Sequence, residues 1–331
     1  MIREDIDCID AGSEYCPCKL AETGECILCS QLQGKCFCDC INWKGVCIYQ
    51  EFFNNGNKAK EKREKFNCNI LDIKNYDGKV IVIKVKVTHK LALDLINPGS
   101  FVFLCPDDDK NFDFPISILE SNTNNDCITM AIEIRGIKTK KLLNFKVGDF
   151  INIRAPYWNG IFGIKNIEKQ VNTNCMIIGR GIGIAPMIPI LRKLRLQNCS
   201  IDCILDYSSL NEEFIDNFVS KYVDSSLNIN TLVNGKLTDE LKYRIYNNIE
   251  KGVNYIHIGG ADILTYNIIN YLHELGKDEV LLSCCNNFKM CCGEGVCGAC
   301  TARYKGHKVK RFCKIQTNPR NIFEERRLIW R

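Results

Sequence analysis

The stretch "CMIIGRGIGIAPMIPILRKLRL", residues 175–196, decides how the chain is read. An apolar run enters a turn carrying Gly179, Gly181 and Gly183, and an amphipathic run follows from Ala185. A buried strand, a glycine turn and a helix in that order bring free N–H groups and a helix dipole to one point, where an anion such as a pyrophosphate is favoured. The same turn also serves simply to pack strand on helix. Pro186 stands where the third glycine of a G-x-G-x-x-G fingerprint would fall.

Downstream, "SIDCILDYS" (200–208), "NINTLVNG" (228–235), "NYIHIGGAD" (254–262) and "DEVLLSC" (278–284) read as further strands, several with helical patterns between them. That alternation predicts a parallel, doubly wound α/β domain over 170–283. Upstream the period changes. "KVIVIKVKVTH" (79–89) alternates apolar and polar residues, and "GSFVFLC" (99–105), "CITMAIEIRG" (127–136) and "VGDFINIRAP" (147–156) follow at near-regular spacing. Short strands punctuated by Gly, Pro and Asn predict an antiparallel β-barrel over 66–165.

Cysteine usage separates the two ends from this middle. The chain has 331 residues and 22 cysteines, nine of them between Cys8 and Cys47 and six between Cys284 and Cys300. The start "MIREDIDCID" has no basic or apolar leader and no run is long enough to span a bilayer, which predicts a cytoplasmic protein. In a reducing compartment thiolate ligation is the better reading than disulfides. Residues 1–50 form a Cys-rich module too small to bury much apolar surface, so metal or cluster ligation would supply its folding energy. "NGNKAKEKREKF" (55–66) reads as a solvated helical connector within 51–65.

Near the other end stands "CCGEGVCGACTARYKGHKVKRFC", residues 291–313. Cys292, Cys297, Cys300 and Cys313 make C-x4-C-x2-C-x12-C, close to the plant-type arrangement that holds a [2Fe-2S] cluster. Four thiolates also make a zinc site, so zinc stays open. At the N-terminus Cys16, Cys18, Cys26, Cys29, Cys36, Cys38, Cys40 and Cys47 suffice for two four-coordinate sites, iron–sulfur or structural zinc. The net charge of +5 does not argue for nucleic acid, but ten Lys and Arg after Thr301 against Glu324 and Glu325 suit an acidic protein partner.

Strand, glycines and an Ala-Pro step, behind a barrel, resemble the ferredoxin reductase superfamily. "DFPISI" (113–118) and "AIEIRGIKTKKL" (131–142) are similar to the flavin-binding stretches of the electron-transfer subunit of class 1B dihydroorotate dehydrogenase. The family's R-P-I-S falls on Phe114, Pro115, Ile116 and Ser117, its L-Y-R on Ala131, Ile132 and Glu133, and its G-T on Lys138 and Thr139. The resemblance implies an FAD held by these positions, NAD(H) held by the glycine turn and by Gly259 and Gly260, and a [2Fe-2S] loop at 284–331. Phe114 replaces an arginine that neutralises the FAD pyrophosphate in the family, a charge that Arg135, Lys138 or Lys140 would have to supply, and Trp158 stands where relatives often have glycine. Asp206, ending the second strand, would accept from a ribose 2′-hydroxyl and repel a 2′-phosphate, which favours NADH over NADPH; a structurally satisfied Asp is the alternative.

The resemblance therefore implies an electron-transfer flavoprotein subunit, an oxidoreductase that works with a separate redox or catalytic subunit, a flavoenzyme or a ferredoxin. The added cysteine module also fits subunits resembling those of ferredoxin-dependent transhydrogenases. A scaffold with a degenerate flavin site and structural metal is the reading from a different class, motivated by Phe114 and Trp158.

Overall fold

A computed structural model describes residues 6–38, 43–106 and 113–323. Two sheets organise them. Five strands of the second sheet are parallel and, in chain order, are Asn174–Arg180, Ser200–Asp206, Ser225–Asn228, Tyr255–Gly259 and Leu281–Cys285. Their spatial order is third, second, first, fourth, fifth, with the short strand Ile161–Phe162 added antiparallel at the far edge. The chain reverses its direction of winding between Asn174–Arg180 and Tyr255–Gly259, so a crevice opens beyond Gly179 and Gly259. Ile177, Ile178, Ile256 and Ile258 are buried on the two faces of the central strands, as a sheet covered on both sides requires.

The first sheet has seven antiparallel strands in the order Phe114–Ser117, Phe101–Cys105, Phe150–Tyr157, Lys65–Tyr76, Val80–Lys86, Cys127–Glu133 and Glu120–Asn122. The two edge strands are consecutive in the chain, joined through Ile118 and Leu119, so the sheet curls back on itself around Ile70, Ile83, Leu104 and Ile153.

Three expectations change. "NINTLVNG" is not a parallel strand. The third strand ends at Asn228, and Leu232–Val233 pairs with Lys236–Leu237 across Asn234 and Gly235, both at positive φ, in the two-residue hairpin that Asn-Gly favours. The helix after the glycine turn starts late: Gly181–Met187 is a 3₁₀ segment and the α-helix runs Ile188–Leu196, because Pro186 and Pro189 supply no N–H to an α ladder. The connector is not helical. Helix Ile48–Asn54 covers only its first four residues, and residues 58–64 have no regular secondary structure, with Arg63 alone among them buried.

The two ends of the chain meet. Strand Ile6–Cys8 pairs antiparallel with Ile315–Thr317, setting Cys8 opposite Ile315. Between these ends lies a buried quartet of charges. Arg63 Nη2 donates to Asp10 Oδ1 at 2.8 Å and Arg63 Nη1 to Glu294 Oε2 at 3.0 Å, while Lys314 Nζ reaches Asp10 Oδ2 and Glu294 Oε2. Two cations and two carboxylates cancel, and each partner satisfies the next, which is what makes burial of four charges tolerable. Among the described residues no helix is long and apolar enough to cross a membrane.

Candidate functional site

The crevice at the winding reversal faces the antiparallel sheet, and the two surfaces enclose a cleft of about 590 Å³, within the range of small-molecule and cofactor sites. Pro115, Ile116, Ser117, Ala131 and Glu133 line one wall. Gly181, Gly183 and Gly260 line the other. Backbone approach there is as close as it can be: a Cβ on Gly183 would come within 2.6 Å of Gly259 C and Gly260 N. Gly259 and Gly179 build this turn from beneath. A Cβ on Gly179 would meet Met187 Sδ at 2.7 Å.

Other positions matched to the family's motifs point elsewhere. Phe114 and Ile132 are buried in the core of the antiparallel sheet, because successive strand residues face opposite ways. Lys138 Nζ donates to the Asp113 carbonyl at 3.0 Å, and Thr139 Oγ1 accepts from the Arg135 and Gly136 amides. Asp206 does not line the cleft. Its Oδ2 accepts from Arg180 Nε at 2.9 Å and from the amide and hydroxyl of Thr231, and its Oδ1 accepts from the Ser208 amide. Burial works to raise this carboxyl, but the Thr231 and Arg180 hydrogen bonds outweigh it and hold it below the ordinary range. The alternative of a structurally satisfied Asp describes it, and it is Arg180, its ion-pair partner, that lines the cleft.

Three further residues line the cleft. Arg135, paired to Glu133 at 2.8 Å, puts a second cation at the rim. Asn287 Nδ2 donates to the Gly260 carbonyl at 2.7 Å, and Cys285 lines the cleft beside it. No motif marks Asn287 or Cys285, which reach the cleft because Leu281–Cys285 is the neighbour of Tyr255–Gly259 in the sheet.

The cysteine loop begins where the cleft ends. Met290 lines the cleft and packs on Phe101, Phe103 and Tyr157. Gly293, Gly295 and Gly298 all take positive φ, which lets residues 292–300 wind tightly. Arg154, stacked on Phe103, donates to the Cys292 carbonyl at 2.9 Å and holds the loop against the sheet.

Among the described residues no three His, Cys, Asp or Glu side chains converge as ligands of one metal ion. The loop's thiols neighbour one another, Cys297 beside Cys291 and Cys292, and Cys300 beside Cys313. Amides point at the sulfurs: Glu294 N–H to Cys292 Sγ at 3.3 Å, Ala299 N–H to Cys297, Cys313 N–H to Cys300. The hydrogen bond from Cys313, against the effect of burial, pulls Cys300 down to about 6, and the same bond pushes Cys313 up.

In the N-terminal module Cys16, Cys18 and Cys26 line one closed cavity, and Cys29 N–H donates to Cys26 Sγ at 3.4 Å. Cys36 and Cys38 are exposed and Cys47 is half-buried. Cys40 lies outside the described residues. Trp158 does not enter the cleft. Its Nε1 donates to the Asp94 carbonyl at 2.8 Å, and its ring packs 5.8 Å from that of Tyr15 in the N-terminal module, beside Arg63.

No protein-family profile matches the chain. The electron transfer subunit of dihydroorotate dehydrogenase B (NAD(+)) from Clostridium acetobutylicum is 31% identical over 225 residues, covering 66% of this chain and 82% of that protein. Its counterpart from Fusobacterium nucleatum is 25% identical over 227 residues, covering 67% and 84%. Among solved structures, the NADH-dependent reduced ferredoxin-NADP oxidoreductase, described for flavin-based electron bifurcation, superposes with a TM-score of 0.59 at 20% identity over 76% of this chain and 86% of that one, a likeness of fold. With the identity spread over two thirds of its length, the chain belongs to the family of dihydroorotate dehydrogenase B electron transfer subunits.

Proposed function

We propose that the chain passes electrons between a nicotinamide dinucleotide and a partner redox protein, through an FAD in the cleft and a [2Fe-2S] cluster in the 291–313 loop. The observation that carries the reading is the cleft itself. The flavin-type stretches at 115–117 and 131–135 face the glycine turn at 181–183 across one cavity, and the cysteine loop starts from its floor at Met290.

The residues present fit both groups. Pro115, Ile116 and Ser117 would wall the flavin, and Arg135 would supply the cation that Phe114 does not. Gly181 and Gly183 would admit the dinucleotide's phosphates against bare backbone, with Arg180, braced by Asp206, as their counter-charge. A guanidinium at this place removes the preference for NADH drawn from Asp206, and either nicotinamide fits. Cys292, Cys297, Cys300 and Cys313 supply the four thiolates that a two-iron cluster takes, on a loop wound tightly by its glycines. When bound, the flavin takes a hydride from the nicotinamide and releases its electrons singly, as an iron–sulfur cluster requires. The chain's own part is to hold the three groups in line, from the glycine turn through the cleft to the loop.

The hairpin Thr301–Tyr304 and Lys308–Arg311 exposes Arg303, Lys305 and Lys308 beside the loop, suited to steer an acidic partner surface. The relatives named as electron transfer subunits point to a separate catalytic or redox subunit as that partner. Purifying the chain anaerobically and assaying flavin, iron, sulfide and zinc tests the reading. FAD with iron and sulfide supports it. A colourless protein with zinc alone would favour the scaffold instead.

A further inference from the structure

Cys8 is not among the ligand candidates that the sequence supplied. The fold brings it among them. Cys8, Cys16, Cys18 and Cys26 line one closed cavity together with Leu20, Ala21, Ile27 and Ile48. Cys26 Sγ accepts the Cys29 N–H at 3.4 Å.

We propose that Cys8, Cys16, Cys18 and Cys26 hold an iron–sulfur cluster, a second redox centre set directly against the C-terminal cysteine loop. Four cysteines about one cavity match the four thiolates of an iron–sulfur cluster, and the iron, sulfide and zinc assay below separates it from a zinc site. Cys8 is delivered by strand Ile6–Cys8, which pairs with Ile315–Thr317 immediately after Cys313, and Ile9 N–H donates to the Lys314 carbonyl at 2.9 Å. On the other side of the cavity, Leu20 touches the loop so closely that a Cβ on Gly295 would come within 3.0 Å of its Cδ1. Asp10, in the cavity wall, is joined through Lys314 to Glu294 of the C-terminal loop. This part of the inference rests on the electron-transfer reading. One electron leaving the C-terminal cluster reduces the N-terminal one, so the exchange balances with no further reactant. The N-terminal centre then extends the path away from the cleft.

Iron and acid-labile sulfide per chain, measured on the anaerobically purified full chain, test the site. Wild type carries more than the two irons of a [2Fe-2S] cluster. Cys8→Ser loses the excess while its flavin absorption and two-iron EPR signal stay unchanged, and Cys127→Ser, a buried thiol of the antiparallel sheet, loses nothing. Two irons or fewer in wild type, zinc in place of the excess iron, or an unchanged iron content in Cys8→Ser overturns the proposal without touching the flavin and C-terminal cluster assignments. Should Cys8→Ser fail to fold, alkylation of wild type decides. Cys8, Cys16, Cys18 and Cys26 are then expected to label together only after chelation of iron, and labelling of Cys8 at the same rate with and without chelator contradicts the site.

Discussion

Arg63 and Glu294 are 231 residues apart in sequence and are joined by two hydrogen bonds of 3.1 and 3.0 Å. The guanidinium lies between the rings of Tyr15 and Tyr157, 4.2 and 4.5 Å from their centroids, and also holds Asp10. One side chain of the connector thus ties the N-terminal module to the C-terminal cysteine loop. Truncating one member of a buried ionic set strands its partners and costs about 3–5 kcal/mol. Arg63→Leu is therefore expected to release the N-terminal module, read as new protease cleavage within residues 43–64 and a lowered thermal transition. Unaltered proteolysis would mean the quartet does not fasten the module.

The same quartet makes stability depend on acid. Burial works to raise the Asp10 carboxyl, and the charges of Lys314 and Arg63 override it, holding it below its ordinary 3.8. A carboxyl depressed by folding contributes fully above its unfolded value, and that contribution is lost as pH falls through the folded one. Denaturant unfolding should show stability falling with acid below about pH 4. Asp10→Asn should be less stable at neutral pH with a shallower acid slope. Parallel slopes in the two proteins would assign the acid dependence to other groups, among them Asp7 and Asp206.

Gly183 is the tightest point of the dinucleotide wall. Gly183→Ala places a methyl against the Gly259–Gly260 backbone, and overpacking of this kind costs ~1–3 kcal/mol. NADH binding, measured by flavin bleaching against nicotinamide concentration, should weaken about tenfold while FAD content holds. Unchanged binding would place the nicotinamide elsewhere.

Arg135 carries the cation that position 114 lacks. A hydrogen bond to a charged group is worth about 1.5–3 kcal/mol, and the exposure of Arg135 puts it at the low end, so Arg135→Gln should retain FAD roughly tenfold more weakly. Equal FAD dissociation constants for variant and wild type would exclude that role.

What the sequence disclosed follows from where the signals are local. The apolar run into Gly179, Gly181 and Gly183 located the crevice, because a parallel strand and its following turn are written in consecutive residues. The C-x4-C-x2-C loop was equally plain. Charged residues that pair over long distances carry no such mark: Arg63 sits in a run that reads as solvated, and Lys314, fully buried, reads as part of a basic tail. Trp158 looked like damage to a flavin site, and only the packing of Tyr15 and Arg63 on it shows that it answers to the N-terminal module. Phe114 matched a motif by spacing, yet strand alternation turns it into the core. Cys8 escaped notice because its partners are set by a strand pairing between the two ends of the chain.

The central claim is a continuous path from nicotinamide through flavin to the C-terminal cluster. Its most direct test is anaerobic titration of the purified chain with NADH, or NADPH where NADH is inert, followed by absorption and low-temperature EPR, for wild type beside Cys300→Ser. Flavin bleaching in both proteins, with a reduced two-iron signal only in wild type, is the predicted result. A wild-type chain whose flavin and iron–sulfur absorption stay unchanged under either nicotinamide would contradict it.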